Sequence, residues 1–68
     1  MINGQTLRRL RLLKGLKQKE AAKKLGISQS AYSRLEQSVW LQGERFQTIL
    51  KALECTTADV EKAMAIQN

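Results

Sequence analysis

The sequence predicts an all-α fold of five short helices. The chain has 68 residues, no proline and four glycines, a composition that favours helices joined by short connections. Apolar residues recur at spacings of three and four, which is the period of a helix with one buried face. This length holds a single domain, which we expect to span residues 1–68, and its core is small enough that every apolar face must contribute.

Helices are predicted first over residues 5–14 and 18–25. Leucines at every third position place one face of the first helix in the core, namely Leu7, Leu10 and Leu13. Gly15 follows where a left-handed residue ends a helix. The second helix turns Ala21, Ala22 and Leu25 inward and Lys19, Lys23 and Lys24 outward.

The third helix is predicted over residues 29–37. Ser28 can cap it, because a serine hydroxyl accepts hydrogen bonds from the free amides of a first helical turn. Its inner residues are Ala31, Tyr32 and Leu35, and its outer residues are Gln29, Ser30, Ser33 and Arg34. The outer face is therefore polar and free of acidic residues.

Two more helices complete the prediction. The fourth begins near Gly43 and has the clearest amphipathic pattern in the chain, formed by Phe46, Ile49, Leu50 and Leu53. The fifth opens with Thr56 and Asp59 at the spacing of a capping box. Its buried stripe is predicted to be Val60, Ala63 and Met64.

The net charge of +6 is unevenly distributed. Residues 1–34 hold nine basic residues and one acid, a charge of +8, and residues 35–68 hold three basic residues and five acids, a charge of −2. Such a division favours a polyanion bound by one side of the molecule. The alternative is a lysine-rich surface that serves solubility alone.

Few residues are suited to enzyme chemistry. The chain has no histidine, no glycine-rich phosphate loop, and a single cysteine, Cys55, which can form neither an internal disulfide nor a zinc site. Its apolar runs are shorter than the roughly 20 residues that span a bilayer, and the N-terminus lacks a signal-peptide pattern. We therefore expect a cytoplasmic protein that is not an enzyme, uses no metal or cofactor and does not bind membranes, with Cys55 as a small core residue.

Residues 18–37, QKEAAKKLGISQSAYSRLEQ, predict a helix-turn-helix. The connection of Gly26, Ile27 and Ser28 has the short, glycine-containing length of this motif. Gly26 permits a positive φ at the turn, and Ala22 is small where the two helices cross. This arrangement presents the third helix as a ridge that fits the major groove of DNA. The same pattern also occurs in purely structural bundles, so it does not prove DNA binding by itself.

Taken together, these features resemble the lambda-repressor/Cro-like, or XRE-type, helix-turn-helix family. The matching segments are LRRLR in the first helix, glycine-leucine at 15–16 followed by Gln18, then AAKKLGISQSAYSRLEQ and ILKALECTTADV. They cover residues 6–64. The resemblance implies a compact five-helix domain of a bacterial or phage regulator that binds double-stranded DNA and reads the major groove with residues 29–37.

The resemblance assigns roles to individual positions. Base contacts are expected from Gln29, Ser30, Ser33 and Arg34. Glutamine can pair bidentately with adenine, whereas Arg34 is either a guanine reader or a phosphate clamp. Phosphate contacts are expected from Lys17, Gln18 and Lys19, and from the hydroxyl of Tyr32 if water does not take it. Arg11 and Glu36 match a buried ion pair between helices one and three.

The sequence departs from the family pattern at several positions. Lys17 replaces the usual serine or threonine cap of the second helix, at a cost of about 1 kcal/mol. Tyr32 is bulkier than the usual valine or isoleucine. In the 38–42 loop, Val39, Trp40 and Leu41 replace polar residues. These three side chains either fold back over the core, which we favour, or form an exposed surface for a second subunit or another protein.

Two functions fit these observations. The first is a transcriptional repressor that binds a palindromic operator as a weak homodimer, because one recognition helix reads too few base pairs to find one site in a genome. The second is an antitoxin that neutralises a partner toxin, through the 38–42 loop, and regulates its own promoter.

Overall fold

Five α-helices form the part of the chain that the structure, a computed structural model, describes, namely residues 3–39 and 41–65. They are α1 (Gly4–Leu13), α2 (Gln18–Leu25), α3 (Gln29–Glu36), α4 (Gly43–Ala52) and α5 (Thr57–Ala65). The all-α prediction is confirmed, and the bounds of α2 agree with it to the residue. None of the helices in these two ranges has the length and apolar character needed to cross a bilayer.

Short polar bonds fix where the helices begin. Ser28 Oγ accepts from the amide of Ala31 at 3.1 Å, which confirms the predicted cap of α3. Thr56 and Asp59 form the predicted capping box, with their reciprocal bonds at 2.8 and 3.2 Å. Because both bonds lie at the N-terminus of α5, that helix is held at its first turn.

The first helix starts one residue earlier than predicted. Asn3 Oδ1 accepts from the amide of Thr6 at 3.0 Å, so Asn3 is its cap. At the other end, Gly15 has a φ of 69°, the predicted left-handed conformation. Gly26 has a φ of 71° in the turn between α2 and α3, where a side chain would be strained.

The core draws on all five helices. α1 packs against α3 and α5, and α2 packs against α3 and α4. Tyr32, Leu7 and Leu10 are the largest side chains that are fully buried. The buried apolar residues are Leu7, Leu10, Ala21, Ala22, Tyr32, Leu35, Leu41, Phe46, Ile49, Leu53 and Ala63. The partly buried Leu16, Leu25, Ile27, Leu50, Cys55 and Val60 pack against them.

Two of the predicted core residues are instead exposed. Leu13 is 39 % exposed and Met64 is 41 % exposed. A step of three residues falls short of a full helical turn, so Leu13 lies well around α1 from Leu7, and Arg11 takes the buried position instead. In α5, the buried stripe is narrow and centres on Ala63, so Met64 turns outward.

Gly4 lies where α1 meets the end of α3. Its amide donates to the carbonyl oxygen of Ser38 at 2.8 Å. A Cβ atom at this position would overlap the carbonyl groups of Leu35 and Glu36. The absence of a side chain therefore lets the N-terminus of one helix, with its partial positive charge, approach the C-terminus of another.

We predict that Gly4→Ala lowers the free energy of unfolding by about 1–3 kcal/mol, because the methyl group would push α1 away from α3. Gly43→Ala is the matched control, since Gly43 also begins a helix and has open space around its Cβ position. Urea denaturation of both variants measures the effect. Equal stabilities for the two variants would contradict the prediction.

Candidate nucleic-acid interface

A buried ion pair joins α1 to the last residue of α3. Arg11 Nε donates to Glu36 Oε2 at 2.6 Å, and the two side chains are 9 % and 5 % exposed. Arg11 Nη1 also donates to the carbonyl oxygen of Leu16, at 2.9 Å. The ion pair expected from the family resemblance is therefore present, and it also ties down the chain between α1 and α2.

Gln18 brings α2 to the same carboxylate. Its Nε2 donates to Glu36 Oε1 at 2.9 Å. A more distant bond of 3.4 Å runs from Arg11 Nη2 to the same oxygen. Side chains from α1, α2 and α3 thus meet at Glu36, and they fix how the two helices of the helix-turn-helix lie against α1.

The environment of Glu36 favours its charged form. Burial acts to raise the pKa of this carboxyl, but hydrogen bonds from Arg11 and Gln18 more than offset burial, so its pKa lies below the ordinary value. The pKa of Arg11 is raised, mainly by its hydrogen bond to Glu36. Both groups are therefore charged at neutral pH, and the ion pair persists there.

Tyr32 does not reach the surface. The residue is 0 % exposed, and its hydroxyl is buried without a hydrogen-bond partner among the described residues. The prediction that Tyr32 contacts a DNA phosphate is therefore wrong, because its hydroxyl is buried away from the surface of the protein. Its ring is one of the largest side chains that are fully buried in the core.

Four of the predicted contact residues line one shallow concave surface. These residues are Gln18, Gln29, Ser30 and Ser33. Gln18 and Gln29 are the first residues of α2 and α3, so the amino ends of both helices open onto this surface. First-turn amides have no acceptor within their own helix, and they attract anions.

Three more predicted contact residues are exposed on α2 and α3 but do not line this surface. Lys17 and Lys19 are exposed at the first turn of α2, and Arg34 is exposed in the last turn of α3. Within residues 3–39 and 41–65, two basic residues of the first half of the chain form ion pairs: Arg11 with Glu36, and Lys14 with Asp59 at 3.2 Å.

The 38–42 loop divides into exposed and buried residues. Val39 is 85 % exposed, whereas Leu41 is 6 % exposed and belongs to the core. The placement of Leu41 in a partner surface is therefore wrong, and the reading that we favoured, in which its side chain folds over the core, is correct for this residue. Trp40, the third residue predicted there, lies outside the described residues.

One comparison with known proteins identifies the family to which the chain belongs. A helix-turn-helix family model matches residues 7–60. This protein belongs to the lambda-repressor/Cro-like (XRE-type) helix-turn-helix family. No curated protein and no solved structure matches the chain. At the level of the family, this helix-turn-helix protein is a DNA-binding transcription regulator whose partner is double-stranded DNA, and the family is not typically enzymatic.

Nothing in the described residues indicates a metal centre in this helix-turn-helix protein. Residues 3–39 and 41–65 contain no group of three or more histidine, cysteine or acidic side chains that could hold an ion. Cys55 is half-buried against the core, and burial raises the pKa of its thiol.

Two hydrogen bonds that position the site were not predicted from the sequence. Glu20 Oε1 accepts from the main-chain amide of Lys17 at 2.8 Å. This hydrogen bond restores part of the stability that α2 loses without a serine or threonine cap. The glutamate three residues after the cap position was the available signal. The bond from Gln18 to Glu36 joins residues 18 positions apart, and no local spacing indicates it.

We predict that Glu36→Gln lowers the free energy of unfolding by about 3–5 kcal/mol at pH 7, since it leaves the buried Arg11 without its counter-charge. The charged pair makes its full contribution to the stability of the wild type above about pH 4.3, the usual pKa of a glutamate. That contribution is lost as pH falls through the lower pKa of Glu36 in the folded protein. The gap between the two proteins should therefore narrow in acid.

Urea denaturation between pH 7 and pH 3 measures this gap. Glu61→Gln, an exposed acid on α5, is the control and should match wild type at neutral pH. A constant difference between wild type and Glu36→Gln over the whole pH range would show that the charge of Glu36 is not responsible.

Proposed function

We propose that this protein is a sequence-specific repressor that reads the major groove with α3. The observation that supports this is the concave surface of Gln18, Gln29, Ser30 and Ser33. Its lining residues are uncharged, two of them are the first residues of α2 and α3, and Lys17 and Lys19 are exposed on either side of Gln18 in the sequence. An α-helix presented in this way fits the major groove of DNA.

Different residues of α3 contact different groups of the DNA in this proposal. Gln29 is exposed at the first position of the helix, where its amide can donate to N7 and accept from N6 of adenine in the bidentate geometry that glutamine favours. Ser30 and Ser33 are small hydrogen-bonding groups that allow the helix to approach the bases. Arg34, which lies about one turn further along α3, contacts either a guanine or a phosphate.

Phosphate contacts come from the first turn of α2. Lys17 and Lys19 supply positive charge, and Gln18 supplies its amide group and its free main-chain N–H. These contacts fix the position of α3 on the duplex without reading sequence. A small domain bound to a promoter can repress transcription by blocking access to that promoter, and this requires no further contact surface.

Selection of binding sites from random DNA tests the proposal. A consensus sequence should emerge, and the logarithm of the affinity for it should fall linearly and steeply with the logarithm of salt concentration, because phosphate contacts release counterions. Recovery of no consensus sequence, or an affinity independent of salt, would contradict the proposal.

We predict that Gln29→Ala costs about 1–3 kcal/mol of binding free energy on the selected site and relaxes the preference at one base pair. Binding to random duplex should change little. The control is Gln47→Ala, an exposed glutamine on α4 that lies away from α3. Equal losses on both duplexes would place Gln29 among the phosphate contacts instead.

We further propose that the repressor is a weak homodimer that forms on a palindromic operator. Two copies on one face of the duplex, about 34–36 Å apart, read enough sequence for a specific site. Val39 supports this proposal, since an apolar side chain that is 85 % exposed gains stability when a second subunit covers it.

We predict that Val39→Ser lowers the cooperativity of binding to a palindrome while its affinity for a half-site stays the same. The residue is exposed, so the monomer should fold normally. Leu12→Ser, at a 55 % exposed leucine on α1, is the control. Quantitative gel-shift titrations on both duplexes measure the effect, and unchanged cooperativity in Val39→Ser would contradict it.

The exposed Val39 also supports a second candidate function, that of an antitoxin whose loop 38–42 binds a partner protein. In that case, Val39→Ser would leave cooperative DNA binding intact and abolish a stoichiometric complex with a small toxic protein from the native host. The same variant therefore discriminates between the two functions.

A further inference from the structure

The outward face of α1 carries exposed leucines that the proposed DNA contacts do not use. Leu12 is 55 % exposed and Leu13 is 39 % exposed, whereas the residues of α1 that pack against α3 and α5 are buried. Single exposed leucines are common on protein surfaces, but these two are consecutive in the chain. Adjacent apolar side chains gain stability when a partner covers them.

Two arginines lie one turn before these leucines. Because residues four apart are neighbours on a helix, Arg8 lies on the same face as Leu12, and Arg9 on the same face as Leu13. Arg8 is exposed and Arg9 is half-buried, and neither forms an ion pair within residues 3–39 and 41–65. None of the ten residues of α1 is acidic. These four residues, the α1 patch, therefore combine positive charge with apolar area.

The chemistry of the α1 patch selects an acidic protein partner. A DNA backbone would pair with the arginines, but phosphates gain nothing from leucines, and no residue of the patch lines the concave surface. A second copy of the chain brings the same net charge of +6, which opposes its approach. Carboxylates that stand beside apolar side chains complement both the arginines and the leucines.

We propose that the α1 patch binds an acidic helix of a partner protein. Apolar residues four positions apart in that helix pack against Leu12 and Leu13, since rows of this spacing interdigitate when two helices pack. Aspartates or glutamates beside them pair with Arg8 and Arg9. The ten residues of α1 span about 15 Å, so the contact is small and weak. The α1 patch is separate from the proposed DNA contacts, and the proposal does not rest on them.

Selection from a displayed library of random peptides, with the DNA-free protein as the target, tests the proposal. The enriched peptides should carry apolar residues three or four positions apart and an excess of acids. Leu12→Ser and Arg8→Glu should each weaken the binding of an enriched peptide about tenfold. Lys23→Glu is the matched control, since Lys23 is an exposed base on α2 outside the patch, and its effect should be less than about twofold. Thermal melts check that these variants remain folded.

Four results would overturn the proposal. The first is a library that yields no enriched peptide, or only peptides without acids. Equal losses in Arg8→Glu and Lys23→Glu would reduce the binding to a general attraction between opposite charges. A loss of affinity for random duplex DNA in Leu12→Ser, as large as its loss for the peptide, would assign the patch to DNA. Dimers in sedimentation experiments without DNA, abolished by Leu12→Ser, would assign the patch to a second copy of the chain.

Discussion

The buried carboxylate of Glu36 constrains the arrangement of the first three helices. A charge with 5 % of its side chain exposed must be paired, and the structure pairs it with Arg11 from α1 and Gln18 from α2. Because Arg11 also holds the carbonyl oxygen of Leu16, the segment entering α2 is fixed by the same residue. The orientation of the helix-turn-helix therefore depends on one side chain at the end of α3.

The carboxylate of Glu36 lies at the end of α3 opposite to the exposed Gln29. An acid at the C-terminus of a helix is unfavourable, because the helix dipole is negative there, and Arg11 supplies the compensating charge. The bonds from Arg11 and Gln18 both reach the last residue of α3. Gln29, at the first turn, remains exposed beside the amino end of α2. A buried ion pair adds little stability compared with apolar packing, so its value here lies in fixing geometry.

The sequence predicted the helices and the motif well, because their signals are local. The cap at Ser28, the capping box at Thr56 and the glycine turn at Gly26 each depend on residues within a few positions. Burial was harder to predict, since it depends on which helices pack together. Leu13 was expected in the core from its spacing, yet α1 buries Arg11 instead, and that choice follows from a partner 25 residues away.

The prediction of the site was likewise correct for some residues and wrong for others. Three of the four outer residues of α3, Gln29, Ser30 and Ser33, line one surface with Gln18, and Arg34 does not. Tyr32 was correctly assigned to the core, but the phosphate contact expected of its hydroxyl was wrong, because the sequence does not show which way the hydroxyl points. Val39 and Leu41 were not told apart for a similar reason, since apolar residues in a short loop carry no periodic signal to separate the buried side chain from the exposed one.

Titration of ¹⁵N-labelled protein with its selected duplex, followed by NMR, tests the central claim most directly. The claim is that Glu36 holds α3 in place while the amino ends of α2 and α3 bind DNA. It predicts a slowly exchanging Arg11 Nε–H signal in free and bound protein, with the largest amide shifts at Gln18, Gln29 and Ser30. An Arg11 Nε–H signal lost to rapid exchange, or shifts confined to α4 and α5, would contradict it.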